Sequence, residues 1–257
     1  MIDVQALTFR YNSTAIFEDF SWRVEDHESW AIVGPSGCGK STLLYLIAGL
    51  RQPVSGQVFV RGEAVLRPRP GTGLILQDYG LLPWRTVRQN VELGLDIRRF
   101  YGPDGKHVPR DYDPSTNNGI VDTWLDRLGI TPQADKYPAH ISGGQRQRTA
   151  IARTLVLHPD LLLMDEPFSS LDAPTRESLQ AVVTDLQRET GITVLVVTHS
   201  IEEAVFLGRK ILVLSPDLPT RTPHCIANPG AASPGFRSSV AYMEQCGALR
   251  KLMGLQD

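Results

Sequence analysis

Short apolar runs alternate with longer amphipathic ones along this chain, and their spacing predicts an α/β protein. Val4, Ala6 and Phe9 sit among polar residues near the start at roughly strand spacing. Ser29–Val33 is a short apolar strand that stops at Gly34, and 41–50 reads as a helix. Two further short strands fall at 57–60 and 73–76. From about 81 to 159 the signals turn helical, over 86–95, 119–128 and 143–157. Between the first two lies FYGPDGKHVPRDYDPSTNNG, residues 100–119, whose Pro, Gly, Asn and charge content predicts an exposed loop or insertion. After Pro159 the alternation returns: strand 161–164, helix 174–190, strand Thr193–Val197, helix Ile201–Leu207 and strand 210–214. The stretch 215–235 is Pro-rich and reads as irregular, and 240–253 reads as a terminal helix. The whole is an α/β core interrupted by a helical insert.

Composition narrows this picture modestly. The 257 residues are 42% hydrophobic and 21% charged, with a net charge of -2, an ordinary globular mix without the basic excess of a nucleic-acid binder. Three scattered cysteines, Cys38, Cys225 and Cys246, form neither a paired nor a metal-type spacing and fit a reducing compartment. The opening MIDVQALTFRYN lacks the basic-then-apolar pattern of a signal peptide. No apolar run approaches the ~20 residues of a membrane span.

The chemistry begins at Gly34-Pro35-Ser36-Gly37-Cys38-Gly39-Lys40-Ser41, followed by Thr42. It matches G-x-x-x-x-G-K-[ST] between a strand and a helix, the context a phosphate-binding loop requires. Glycines let backbone N–H groups turn toward phosphate oxygens, and the helix N-terminus adds positive partial charge. Lys40 supplies a full charge to the β and γ phosphates, and Ser41 Oγ is a ligand for Mg²⁺. Cys38 fills a free position of the motif as a small spacer.

A second feature is 161–164 running into Asp165-Glu166-Pro167. A buried strand of this kind ends at the ligand crevice of an α/β fold. Asp165 is placed to hold Mg²⁺ through water, and Glu166 to orient or deprotonate an attacking water. His199 ends the next strand and reaches the same sheet edge. A third feature, Ile141-Ser142-Gly143-Gly144-Gln145, opens the helix over 143–157 and has the grammar of either an anion site or an ordinary Ser N-cap.

Taken in order, these motifs resemble the nucleotide-binding subunit of ABC transporters, over residues 4–215. The resemblance implies a P-loop NTPase core, a RecA-like mixed sheet with an N-terminal antiparallel β-subdomain, carrying an inserted α-helical subdomain. It implies one ATPase domain over 1–257: an ATP-binding core at 1–80 and 159–215, a helical signature subdomain at 81–158, and a tail at 216–257. It makes Tyr11 the aromatic that stacks on adenine and Gln77 the residue that touches Mg²⁺ or the water and senses the membrane partner. It makes Ser169-Ser170-Leu171-Asp172 the D-loop and His199 the switch histidine. It also gives the second anion site an owner. Two subunits pair head to tail, as a homodimer or a paralogous heterodimer. Ser142, Gly143, Gly144 and Gln145 of one then meet the ATP on the phosphate loop of the other.

Leu81-Leu82-Pro83-Trp84-Arg85-Thr86-Val87, after Gln77-Asp78, is similar to the importer branch for nitrate, taurine and alkanesulfonates, in which this stretch abuts the groove for the membrane subunit. Ser200 departs from the Asp commoner in that branch. The implied activity is ATP hydrolysis driving uptake of a small solute. The implied partners are permease subunits and, indirectly, a solute-binding protein, at the cytoplasmic face of the membrane and without nucleic acid. An exporter or lipid-handling ATPase shares the core motifs. A soluble ATPase acting on nucleic acid or ribosomes would call for tandem cassettes, a coiled-coil insert or a basic arm.

Overall fold

The structure, a computed structural model, describes residues 1–101 and 119–254. In chain order the elements are β1 (Ile2–Tyr11), β2 (Thr14–Val24), β3 (Ser29–Val33), α1 (Lys40–Ile47), β4 (Ser55–Val60), β5 (Glu63–Ala64), β6 (Thr72–Ile75) and α2 (Val87–Tyr101). There follow α3 (Ile120–Arg127), α4 (Gly143–Leu155), β7 (Leu161–Asp165), α5 (Ala173–Thr190), β8 (Thr193–Val197), α6 (Ile201–Leu207), β9 (Lys210–Val213), β10 (His224–Ala227) and α7 (Val240–Leu252). The expected elements from 29 to 214 are all present, with ends shifted by a few residues. The expected loop at 100–119 lies, from 102 to 118, outside the described residues.

The chain forms two compact units. One comprises Met1–Pro68, Leu163–Glu166 and Thr184–Asp257. Its N-terminal sheet is antiparallel, in the order β2-β1-β4-β5. Ile2 faces Val24 and Val60, and Val4 faces Trp22 and Val58, so the buried side chains form cross-strand layers. A bulge then interrupts β1. Ala6 has φ 47° and the register shifts between Val4 and Leu7. One added residue moves the buried positions from Ile2 and Val4 to Leu7 and Phe9. Ala6, which follows Val4 at strand spacing in the sequence, is therefore exposed.

The second sheet of this unit is mixed. β3 lies between β8 and β9, parallel to both, and β10 runs antiparallel along β9. Every residue of β3 and β8 is buried, as befits parallel strands covered on both faces. The strand ends are pinned to one edge by backbone bonds. Thr198 N–H donates to Ile32 O at 3.2 Å, Leu214 N–H to Val33 O at 2.8 Å, and Glu166 N–H to Val197 O at 2.9 Å. That edge gathers the loops that follow β3, β7 and β8. β10 corrects the expectation of an irregular 215–235, since four of those residues pair with β9. The terminal helix α7 docks Cys246 and Leu249 against a core that includes Ala31, Val33, Ile201, Val205 and Ile211.

The other unit comprises Arg69–Leu162 and Pro167–Val183. Here α2, α3 and α4 pack together. Asn90, fully buried, organises the turn before α2: its Oδ1 accepts from Leu82 N–H at 2.8 Å, and its Nδ2 donates to the carbonyls of Leu82, Arg85 and Thr86. Trp84, at the tip of that turn, is 71% exposed. Arg153 of α4 donates to Gly80 O at 2.6 Å and Tyr79 O at 2.7 Å, which fastens the turn after Gln77.

Candidate functional site

The chain leaves β3 at Gly34 and enters α1 at Lys40 through a loop that only glycine can build at two of its positions. A Cβ on Gly34 would meet Cys38 Sγ and Leu214 O, each at 2.7 Å. Gly39 has φ +102°, and a Cβ there would meet Ile16 Cγ2 at 2.5 Å. Gly39 is also the N-cap of α1 and makes no side-chain cap bond. The first N–H groups of a helix have no intrahelical acceptor, so those of this turn are donors for an anion.

Lys40 is buried, and its ammonium donates to Gly34 O at 2.8 Å and Pro35 O at 2.9 Å. The charge is thereby held against the loop. Ser41 Oγ donates to Asp165 Oδ1 at 2.8 Å. Tyr45, one turn later on the same face of α1, donates its hydroxyl to Asp165 Oδ2 at 3.0 Å. Asp165 itself is only 3% exposed, so both carboxylate oxygens are satisfied before any ligand is considered.

Glu166 has φ 46°, a left-handed conformation unusual for a non-glycine residue. His199 Nδ1 lies 3.0 Å from Glu166 Oε2. The His199 side chain is 63% exposed and that of Glu166 21%, so the pair presents its outer side to solvent.

Tyr11, Ser36, Gly37, Lys40, Glu166 and His199 are among the residues lining one cavity of about 570 Å³. Thr42 and Ile16 line it too, and Thr42 Oγ1 donates weakly to Tyr11 OH at 3.4 Å. The Tyr11 ring is met edge-on by Phe9, 4.9 Å between centroids, and the Arg51 guanidinium sits 5.8 Å from its centre. Cys38 is buried, and burial pushes its thiol above the ordinary 9.0. Thus the structure gathers Tyr11, the loop 34–42, Asp165, Glu166 and His199 within one unit.

The remaining expected residues belong to the other unit. Ser142 is the N-cap of α4 in a reciprocal capping box: its Oγ accepts from Gln145 N–H at 3.3 Å, and Gln145 Oε1 accepts from Ser142 N–H at 3.0 Å. Gly143 and Gly144 then carry the first helical N–H groups. A Cβ on Gly144 would meet Thr175 Cγ2 at 2.6 Å. Gln77 is exposed. Asp172 accepts from Thr175 N–H at 3.2 Å, and the bonds from Thr175 hold its carboxyl below the ordinary 3.8. Tyr79 OH and Ser170 Oγ are hydrogen-bonded at 2.7 Å.

Three neighbours of the site were not singled out from sequence: Tyr45, Ile16 and Arg51. Tyr45 was discoverable, because Ser41 and Tyr45 are four apart on a helix and share a face. Ile16, against Gly39, and Arg51, over the Tyr11 ring, are placed there by the fold alone.

The donor set fits a magnesium ion. Ser41 Oγ and Asp165 Oδ1 are hard oxygens already side by side, and they are few. Mg²⁺ takes one or two protein oxygens and fills its octahedron with water and substrate phosphates. Among the described residues no cluster of three His, Cys, Asp or Glu side chains forms an all-protein metal cage.

A glycine-rich loop at a helix N-terminus, with a held lysine and paired carboxylates at the adjoining strand end, defines a P-loop nucleotide-binding ATPase site. A family profile described as ABC transporter matches residues 17–169. The nitrate import ATP-binding protein NrtC of Synechococcus elongatus is 43% identical over 198 residues, 77% of this chain and 28% of that protein. The taurine import ATP-binding protein TauB of Escherichia coli O157:H7 is 38% identical over 216 residues, 84% of this chain and 80% of that protein. Among solved structures, the dimeric post-hydrolysis state of the ATP-binding cassette MJ0796 bound to ADP and Pi superposes with TM-score 0.74 at 27% identity, covering 88% of this chain and 98% of that one. The chain belongs to the ABC transporter family. Its enzymatic class is ATPase, and its fold is that of the ATP-binding cassettes. No described helix is long and apolar enough to cross a membrane.

Proposed function

We propose that this chain is the motor subunit of an importer for a small solute of the nitrate, taurine or sulfonate class, working at the cytoplasmic face of the membrane beneath permease subunits. The observation that carries the reading is the pair of contacts at one strand end, Ser41 on Asp165 and His199 on Glu166, at the edge of the phosphate loop. The likeness to the nitrate and taurine import proteins supports the solute class, and the exposed Trp84 supports a docking face on the helical unit.

In this reading the N–H groups of the loop, with Pro35, Ser36, Gly37 and Cys38 shaping it, hold the phosphates. Lys40 balances charge on the β and γ oxygens. Tyr11 stacks on the base, and Thr42 supports it. Ser41 and Asp165 would hold Mg²⁺, which would offset the charge on the transferring phosphoryl group. Glu166 aligns a water and takes its proton as the water oxygen attacks the γ phosphorus. The bond to the β–γ bridging oxygen breaks, and ADP and phosphate leave. His199 holds the carboxylate of Glu166 in place. Gln77 and Asp172 carry the state of the site to the membrane partner and the second subunit. Two copies, or two paralogues, pair head to tail so that Ser142, Gly143, Gly144 and Gln145 of one reach the γ phosphate held by the other; the dimeric state of the similar cassette structures supports pairing.

The test is steady-state phosphate release by the purified chain, alone and with its permease. Lys40→Ala is expected to lose ATP binding, and Glu166→Gln to bind ATP without turnover. Import is tested by reconstitution: nitrate, taurine or an alkanesulfonate with its binding protein should raise turnover. Failure of all three solutes to do so would rule out the proposed solute class.

A further inference from the structure

The helix α7 is hydrogen-bonded to Glu202, which in turn holds Ser200, the neighbour of the histidine of the proposed site. Glu202 lies in the first turn of α6, three residues after His199. Its carboxylate is held from two sides. Arg250 Nη2, on α7, donates to Glu202 Oε1. Ser200 Oγ donates to Glu202 Oε2 at 3.1 Å. The backbone of Glu202 is held as well, because Tyr242 OH, also on α7, donates to its carbonyl at 3.1 Å.

Ser200 is the hinge of this arrangement. It caps α6, its Oγ accepting from Glu203 N–H at 3.2 Å. Its own N–H donates to Thr198 Oγ1 at 3.1 Å, and Thr198 Oγ1 donates to the buried Glu203 Oε2 at 2.6 Å. Both residues flanking His199 are thus locked by hydrogen bonds. The buried side of this lock joins Thr198, just after β8, to Glu203 of α6. The outer side, Ser200 with Glu202, is fastened by α7. α7 is in turn seated on the core by Cys246 and Leu249, with Tyr242 packed at its margin.

We infer that α7 is a clamp on the His199 segment, and that Glu202, Arg250 and Tyr242 are positioning residues for the proposed hydrolysis. The inference rests on the reading of Glu166 and His199 as the hydrolytic pair. Arg250 and Glu202 are 39% and 52% exposed, so their ion pair adds little to global stability. Its effect is local, on the freedom of the loop that presents the imidazole to Glu166. A positioned proton-transfer pair loses rate when its geometry loosens, and ATP binding, which uses the phosphate loop, is untouched.

The experiment uses the full-length chain and compares wild type with Arg250→Ala, Arg250→Lys, Tyr242→Phe, the double variant Tyr242→Phe with Arg250→Ala, and Glu166→Gln. Turnover at saturating ATP, KM for ATP and the melting temperature are measured on each, together with amide exchange of the segment 198–203. Arg250→Ala should lower kcat about fivefold and the double variant about tenfold, short of the roughly hundredfold cost of a 1 Å misplacement. KM should stay within about twofold, melting should barely move, and exchange at 198–203 should quicken while that of 40–47 does not. Arg250→Lys should recover most of the rate. Unchanged kcat in the double variant, or a fall accompanied by a matching rise in KM, would overturn the clamp. Turnover retained in Glu166→Gln would instead remove the hydrolytic reading itself, and the clamp with it. Should the double variant fail to fold, Arg250→Ala and Tyr242→Phe, each of which removes one α7 bond to Glu202, decide the matter by the same kcat criterion.

Discussion

Ser41 Oγ donates to Asp165 Oδ1 at 2.8 Å, joining the first turn of α1 to the end of β7. The second oxygen of the same carboxylate is taken by Tyr45. Asp165 therefore has a structural duty as well as its proposed one. Replacing it by Ala strands two hydroxyls in a mostly buried place, a loss of about 1–3 kcal/mol. Tyr45→Phe removes one hydrogen bond, a loss of about 1 kcal/mol. Thermal melts should rank the two in that order. Tyr45→Phe should keep the Mg²⁺ dependence of ATP binding, and Asp165→Ala should lose it.

The phosphate loop is sterically tied to β2. Gly39→Ala places a methyl 2.5 Å from Ile16 Cγ2 at a φ that L residues avoid. Strain of roughly 1–3 kcal/mol follows. ATP affinity, measured by calorimetry, should fall with stability. The double variant Gly39→Ala with Ile16→Ala should regain stability in part but not affinity, because the backbone conformation remains wrong for the loop.

The cysteines differ in access. Cys225 is exposed, while Cys38 and Cys246 are buried; partial burial pushes all three thiols up, so access sets the order. Maleimide at neutral pH should label Cys225 quickly and the other two only as the protein unfolds, read by mass spectrometry. When Cys38 is forced to react under mild denaturant, the refolded adduct should not bind ATP. An adduct at Cys38 that binds ATP normally would contradict the loop geometry.

Glu28 predicts a pH dependence. Burial works to raise its pKa, but hydrogen bonds from Lys210 and Trp30 prevail and hold the carboxyl below the ordinary 4.5. Trp30 Nε1 donates to Oε2 at 2.6 Å, and Lys210 Nζ pairs with Oε1. A depressed folded pKa gives stability that is present above the unfolded value and lost as pH falls through the folded one. Glu28→Gln should melt below wild type at pH 7, and the gap should shrink from about pH 4.5 downward. A gap that widens in acid would contradict the sign.

Much of this was legible in the residue order, and the exceptions have physical causes. β3, β7 and β8 are buried on both faces and read as unbroken apolar runs. The phosphate loop was legible because its glycines are demanded by geometry that tolerates little else. β2 was missed. Its buried positions, Ile16, Phe17, Phe20, Trp22 and Val24, do not alternate until after Asp19, which has φ 52°. The bulge at Ala6 broke the period of β1 in the same way. β10 is mostly exposed and sits among prolines, so neither period nor burial marked it. Ser142 reads as a helix start, and its spacing to Gln145 is also that of a capping box, which ties the glutamine side chain to the helix it opens.

The central claim is that ISGGQ, at 141–145, is the far wall of an ATP site completed by another copy. It is tested most directly by light scattering on Glu166→Gln with and without ATP and Mg²⁺. The account predicts a monomer that becomes a dimer only with ATP, and Ser142→Arg should abolish that change while leaving ATP binding intact. A Glu166→Gln chain that binds ATP and stays monomeric, both alone and when the permease presents two copies side by side, would contradict it.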